Sequence, residues 1–416
     1  MARKYRALDI ERAKYSPLIA SLSDTNEACN ITALEQKTGS LGWLAIEDLL
    51  FNALKAPCSN QQKIFQCFDM LGYVDYYINR LNKDNKWTQA IAADKLGRIR
   101  CRKALPDLLH ALQSKHKDVR NMVTYSLGVI QDEKAIPHLM MQLKQTIQKE
   151  EEVSLRIVKS TFISYGEAII PALLSELKDP SWQIRSTVVD ILGEIGSPAV
   201  VPYLIECLKD PEQDIRAKAA KGLGNIKDPS AIPPLIKVLE DNFWVVRLHA
   251  TRALGSIGDL CVIDDVKRKL SDRNWQVRRV AAEALGRIGG NSYLALMNVF
   301  LNSNDNYAKE QAADEIERAG IIKTLVTALL KQEKDTTGLD KINILKNILS
   351  QAGINNSEKV NKITPDTFLE IVRMLSLIDR KGLREIFDNT IGKDFSSVEI
   401  EKAINEIERF CKDNSM

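Results

Sequence analysis

A Leu-Gly pair recurs at Leu96-Gly97, Leu127-Gly128, Leu192-Gly193, Leu223-Gly224, Leu254-Gly255 and Leu285-Gly286, and the last four pairs stand 31 residues apart. A period of that length marks stacked units, each too small to bury its own apolar face and each covered by its neighbours. The repeat therefore restricts the chain to an elongated stacked architecture, which displays surface more readily than it encloses a catalytic pocket.

The repeat is clearest from about residue 171 to 290. Between Pro202 and Gly224 two runs show the i, i+3, i+4, i+7 apolar spacing of amphipathic helices. The first helix of each repeat opens near a proline (Pro106, Pro137, Pro171, Pro202, Pro233), where a missing N–H costs little. The second is expected to close at Leu-Gly. Between them Asp179-Pro180, Asp210-Pro211 or an equivalent pair makes a turn whose aspartate is expected to supply an N-cap oxygen to the second helix. Each repeat reads as a helical hairpin.

An aspartate and an arginine stand six residues apart in four successive repeats: Asp179/Arg185, Asp210/Arg216, Asp241/Arg247 and Asp272/Arg278. With Val/Ile-Arg, Ala-Leu-Gly-x-Ile-Gly and Ala-Ile/Val-x-Pro-Leu-Ile, this pattern resembles short bacterial HEAT repeats of the kind also found in phycobilin lyases. The resemblance implies an all-α, α-α superhelix, a HEAT-repeat solenoid with divergent helical N- and C-terminal caps. It also implies that these eight side chains form a buried ladder between neighbouring repeats. A planar guanidinium suits that role, since its fork satisfies a carboxylate and backbone carbonyls together.

Three regions follow. Residues 1–82 are helical in periodicity without the signature and read as an N-terminal cap, in which Phe68–Arg80 is expected to pack on the first regular repeat. Residues 83–330 carry the repeats, with an irregular one near 145–171, where an insertion around Gln148–Ser154 predicts a longer projecting loop and a kink. After Gly286 the motif decays at Ile316–Gly320, as terminal units do. Lys331–Leu339 reads as a linker, and residues 340–416 as helices of another pattern, with starts at Thr364-Pro365 and at the capping box Ser396–Glu399.

Fifty-eight basic residues against 55 acidic ones leave a net charge of only +3, so no global field announces nucleic acid or an anionic membrane. Seven cysteines without a Cys-x-x-Cys pair point to a reducing compartment, hence the cytoplasm. Apolar stretches are short, so no transmembrane segment is expected, and the basic opening Met1–Arg6 leads into polar sequence instead of a signal peptide. The histidines His110, His116, His138 and His249 show no metal-ligand spacing, and no phosphate loop or nucleophile elbow appears, so neither a metal nor a cofactor is expected.

The resemblance places the second helices on the concave face. There Lys218, Lys221, His249 and Arg252 make a local positive patch flanked by Asp190 and Glu283, and Tyr125 holds the same register earlier in the chain. Trp182, Trp244 and Trp275 each precede a ladder arginine by three residues, with Gln213 in the remaining repeat and Trp87 one residue off register; they read either as packing over helix entrances or as a stacking stripe. Basic clusters at Arg98, Arg100, Arg102 and Lys103, and at Lys267, Arg268, Lys269 and Arg273, are candidate contacts for acidic partners or lipid headgroups. The leading expectation is a non-catalytic scaffold or adaptor holding a partner protein in the groove, with an envelope-associated partner among those the resemblance admits. The alternatives are a phycobilin lyase or lyase-isomerase and, third, a HEAT-like alkylpurine DNA glycosylase, which a near-neutral chain disfavours.

Overall fold

A computed structural model describes residues 2–23, 31–55, 61–83, 85–148, 153–289 and 292–320, so residues 340–416 and the tip of the insertion at 149–152 lie outside the described residues. Among the described residues all regular structure is helical. The chain forms two compact units, Met1–Ile184 and Arg185–Met416.

In the first unit α1 (Ala2–Ser23) lies on α2 (Leu41–Ala53), followed by α3 (Gln61–Met70) and α4 (Tyr73–Leu81). Its core is aromatic: the Trp43 and Tyr73 rings stand 4.3 Å apart, those of Phe51 and Phe68 4.7 Å, and Tyr73 donates its hydroxyl to the Trp43 carbonyl at 2.7 Å. Helix α4 packs on α5 (Lys86–Arg98) and α6 (Leu105–Ala111), so Phe68–Arg80 does adjoin the first regular hairpin. Then come α7 (Lys117–Ile130), α8 (Ile136–Gln148), α9 (Leu155–Tyr165), α10 (Ile170–Ser175) and the start of α11 (Trp182–Ile195). The insertion lengthens a helix: α8 has 13 residues where α6 has seven. Leu155–Lys178 is long and apolar enough, by length and composition, to cross a membrane, which the short apolar runs did not foretell. It is not one α-helix, because 3-10 turns at Gly166–Ile169 and Glu176–Lys178 interrupt it, and Val158, Phe162, Ile169 and Leu173 are fully buried in the repeat.

The second unit continues from α11 through α12 (Val201–Cys207), α13 (Gln213–Ile226), α14 (Ile232–Val238), α15 (Trp244–Ile257), α16 (Ile263–Arg268), α17 (Trp275–Ile288), α18 (Ser292–Asn302) and α19 (Asn306–Arg318). Successive second helices α13, α15 and α17 pack side by side. In this unit α12, α14 and α16 are each entered through a 3-10 turn capped by a side chain, as where Asp228 accepts from the Ser230 N–H at 2.8 Å.

Two sequence expectations need correcting. The motif glycines do not end the second helices, which run on to Ile226, Ile257 and Ile288; they lie inside, where neighbours approach most closely. A Cβ added to Gly193 would stand 2.7 Å from the Cα of Gly222, and one on Gly255 2.7 Å from the Cα of Ala284. The left-handed end belongs to Gly258 (φ 78°), and to Lys227 (φ 62°) one repeat earlier. Nor do the turn aspartates cap the second helices. Asp210, Asp241 and Asp272 stand two residues before the capping positions Glu212, Phe243 and Asn274, and accept from those residues' N–H groups at 2.9 Å.

Candidate functional site

The ladder pairs Arg185, Arg216 and Arg247 each with the aspartate of the following repeat. Arg185 reaches Asp210 from Nε at 3.0 Å and Nη2 at 3.1 Å; Arg216 reaches Asp241 at 2.7 and 3.1 Å; Arg247 reaches Asp272 at 2.7 Å from both nitrogens. The third nitrogen turns back to its own repeat: Nη1 of Arg216 donates to the Asp210 carbonyl at 2.7 Å, that of Arg247 to the Asp241 carbonyl at 2.8 Å and that of Arg278 to the Asp272 carbonyl at 2.9 Å. In the first unit, Asp179 receives Lys144 at 3.3 Å, with Glu176 on the same ammonium at 2.7 Å. Burial alone would raise the carboxyls of Asp241 and Asp272, yet the bonds from Arg216 and Arg247 hold them below their ordinary value.

The face of the second helices in the Arg185–Met416 unit is polar and neutralised within itself. Lys221 sits between Asp190 at 3.4 Å and Glu194 at 3.6 Å. Lys218 donates to the Ser186 hydroxyl at 2.6 Å and pairs with Asp214 at 2.9 Å, while Ser186 donates to Asp214 and closes the triangle. Burial would raise the Asp214 carboxyl, but those two partners hold it down. His249 is driven down to about 4 by burial and then by the charges of Arg252 and Lys221, so it is neutral at pH 7, and its Nδ1 is buried without a partner. Glu283 takes Arg279 at 3.1 Å, and Arg252 is exposed. The positive patch read from sequence is therefore corrected to a charge-balanced face, on which Lys221 and Arg252 are both exposed and Lys221 is paired with carboxylates. Tyr125 belongs to the first unit, where it is half exposed.

Asp190 and Lys221 hold one position in consecutive repeats, so their pairing was readable from the register. Ser186 and Asp214 were missed, although an aspartate four residues before Lys218 was a signal for a helical ion pair.

The basic clusters are also engaged locally. Lys103 binds Asp75 at 2.9 Å and Asp69 at 3.3 Å, and Arg98 lies over the Phe51 ring at 4.3 Å. Lys269 is buried against Glu240 at 2.7 Å, Lys267 donates to Asn298 at 3.2 Å, and Arg273 to the Asn242 carbonyl at 2.7 Å.

The aromatics do the reverse. Phe243, Trp244, Trp275 and Tyr307 all stand at the entrances of second helices in the second unit, and Trp275 remains 58% exposed and Tyr307 65%. The guanidinium of Arg216 lies 5.7 Å from the Phe243 ring and that of Arg278 5.0 Å from the Tyr307 ring, so ladder arginines hold two of these rings in place. In the first unit Trp182 and Trp87 are likewise exposed. These four indoles are 38–66% exposed, so covering a helix entrance leaves part of each ring in solvent.

Among the described residues no group of three His, Cys, Asp or Glu side chains could hold a metal ion. The HEAT repeats family matches residues 74–151, 170–242 and 232–317. Among solved structures, the CpcE–CpcF complex of phycocyanin lyase from Nostoc sp. PCC7120 is 24% identical over 37% of this chain and 99% of that one, with a TM-score of 0.34. Human deoxyhypusine hydroxylase is 19% identical over 60% of this chain and 99% of its own, with a TM-score of 0.27. Kap121p bound to Ste12p is 14% identical over 92% of this chain and 52% of its own, with a TM-score of 0.47. No curated protein matches the chain.

Proposed function

On the premise that the chain belongs to the HEAT-repeat family, we propose that it is a non-catalytic scaffold that binds a partner protein along the second-helix face and the aromatic edge of its second unit. Residues 83–330 form the binding body in this reading, and residues 1–82 cap it. One observation carries the proposal: Trp244 and Trp275 are exposed at positions 31 residues apart, with Phe243 and Tyr307 exposed one residue from that register, in the same unit as a charge-balanced face. Large amphipathic rings at fixed positions are what protein interfaces use as anchors, and paired charges around them suit a polar rim. A nucleic-acid backbone would instead require unpaired cations, whereas Lys218 and Lys221 are already committed to carboxylates. Within this assignment Arg252, Lys218, Lys221, His249, Asp190 and Glu283 form the rim and Trp244, Trp275 and Tyr307 the anchors, while Tyr125 is a separate contact on the first unit. The four described cysteines, Cys67, Cys101, Cys207 and Cys261, are free thiols, which supports the cytoplasm as the compartment.

The test is parallel capture from a lysate of the source organism with wild type and with the Trp244→Ala/Trp275→Ala/Tyr307→Ala variant, followed by mass spectrometry. A protein retained by wild type and lost by the variant is the expected result. Equal retention by both would sink the assignment of the surface. A bilin retained instead, with an absorbance change on adding an apo-phycobiliprotein, would replace the scaffold reading with the lyase.

A further inference from the structure

The ladder runs in register for three rungs and then changes chemistry. Twenty-five residues on from Arg185, Arg216 and Arg247 stand Asp210, Asp241 and Asp272, each the two-pronged partner of its arginine. The same count from Arg278 arrives at Ser303. Ser303 keeps one half of the aspartate's role, since its Oγ accepts from the Asp305 N–H at 3.1 Å just as Asp241 and Asp272 accept from Phe243 and Asn274 at 2.9 Å. It cannot fill the other half. A single neutral hydroxyl offers neither the second oxygen nor the charge that a guanidinium fork is shaped to meet.

Arg278 is nonetheless held as its predecessors are. Its Nη1 donates to the Asp272 carbonyl at 2.9 Å, and its guanidinium lies 5.0 Å from the Tyr307 ring. Its Nε is buried and has no hydrogen-bond acceptor, in contrast to the Nε of Arg185, Arg216 and Arg247. Ser303, though not Arg278, also lines an open cavity of about 580 Å³ between α16 and α18, shared with Lys267, Arg268, Ser271 and Asn302. Donors dominate that lining, and Asp264 is its one carboxylate.

We propose that Arg278 and Ser303 form a carboxylate-binding site, in which the two oxygens of a ligand carboxylate take the place relative to Arg278 that an aspartate takes in each earlier rung. The preceding rungs are the template for the ligand class: a planar carboxylate accepting from Nε and Nη2 of one arginine at 2.7–3.1 Å. The carboxylate is supplied either by a free carboxylic acid or by an Asp or Glu side chain of another polypeptide. The site rests on the ladder register and the unpartnered Nε of Arg278, and is independent of the scaffold reading.

The test follows the Arg278 Nε–H signal in ¹⁵N-labelled full-length chain, identified by its loss in Arg278→Lys. Succinate and a blocked aspartyl peptide are titrated separately at constant ionic strength against sodium chloride. The expected result is a saturable shift with carboxylate and none with chloride. In Ser303→Asp, which supplies the carboxylate within the chain, the signal should already lie at the shifted position, ignore both probes, and accompany a Tm higher than that of wild type. Peptide binding at least tenfold tighter than succinate assigns the source to a polypeptide, and the reverse order to a free acid; either supports the site. No saturable shift in wild type, or an equal shift in Ser303→Asp, would overturn it.

Discussion

Arg247 and Asp272 meet through two parallel hydrogen bonds, Nε to Oδ2 and Nη2 to Oδ1, both 2.7 Å long, with side chains only 4% and 5% exposed. This is the most deeply buried pair of the ladder, and removing one member should expose its cost. Arg247→Ala leaves the Asp272 carboxylate buried without its cation and frees the Asp241 carbonyl, so stability should fall by about 3–5 kcal/mol. Arg247→Lys keeps the charge and loses the fork, and should recover less than half of that. Urea unfolding measures both; an Arg247→Ala midpoint equal to wild type would remove the ladder from the list of stabilising features.

Glycine substitutions should separate close packing from helix ending. Gly255→Ala would gain about 1 kcal/mol from helix propensity in an isolated helix, but here the new methyl meets the Ala284 backbone at 2.7 Å. The net expectation is a loss of about 1–3 kcal/mol. Lys227→Gly should go the other way, gaining about 0.5–1 kcal/mol by relieving a left-handed residue at φ 62°. Thermal melts of the two variants, expected to shift in opposite directions, provide the check.

The neutral His249 makes stability depend on acid. Burial and then the charges of Arg252 and Lys221 hold its folded-state pKa at about 4, below the ordinary 6.5, against a smaller opposing pull from Asp214. As pH falls below about 6.5 the unfolded chain takes a proton that the folded one resists, so stability is lost progressively down to about pH 4. Allowing for the ring's partial exposure, wild type should lose about 1–2 kcal/mol between roughly pH 7 and 5 that His249→Gln does not. Parallel denaturation curves at the two pH values would reveal a matching loss in the variant if another group were responsible.

Trp275 should be dispensable for folding and needed for recognition. At 58% exposure its truncation to alanine is expected to change stability by less than about 1 kcal/mol while weakening capture of the partner. A circular-dichroism melt beside the capture experiment separates these effects, and a variant that melts far below wild type would recast the indole as a packing residue.

The fold was legible because the 31-residue period, the apolar spacing and the ladder residues all point to stacked hairpins. The direction of pairing was not, because the interval from Asp to Arg within a repeat and from Arg to the next Asp are complementary parts of the same period. Gly193, Gly224 and Gly255 were misread as helix ends for a related reason: a sequence shows where chain flexibility is tolerated without showing that a neighbouring backbone stands 2.7–2.8 Å from the would-be methyl. The surface misled through its charges. Lys218 and Lys221 look cationic one residue at a time, and only the stacking of α11 against α13 brings Asp190, Glu194 and Ser186 to them.

Arg216 and Arg247 each bind their own repeat through a carbonyl and the next through a carboxylate, so each of these rungs refers only to its immediate neighbour. A whole 31-residue block could be duplicated or excised between Asp210 and Arg247 with every remaining ladder contact formed by equivalent atoms. The number of rungs in the second unit is thus adjustable one repeat at a time, without redesigning the joints.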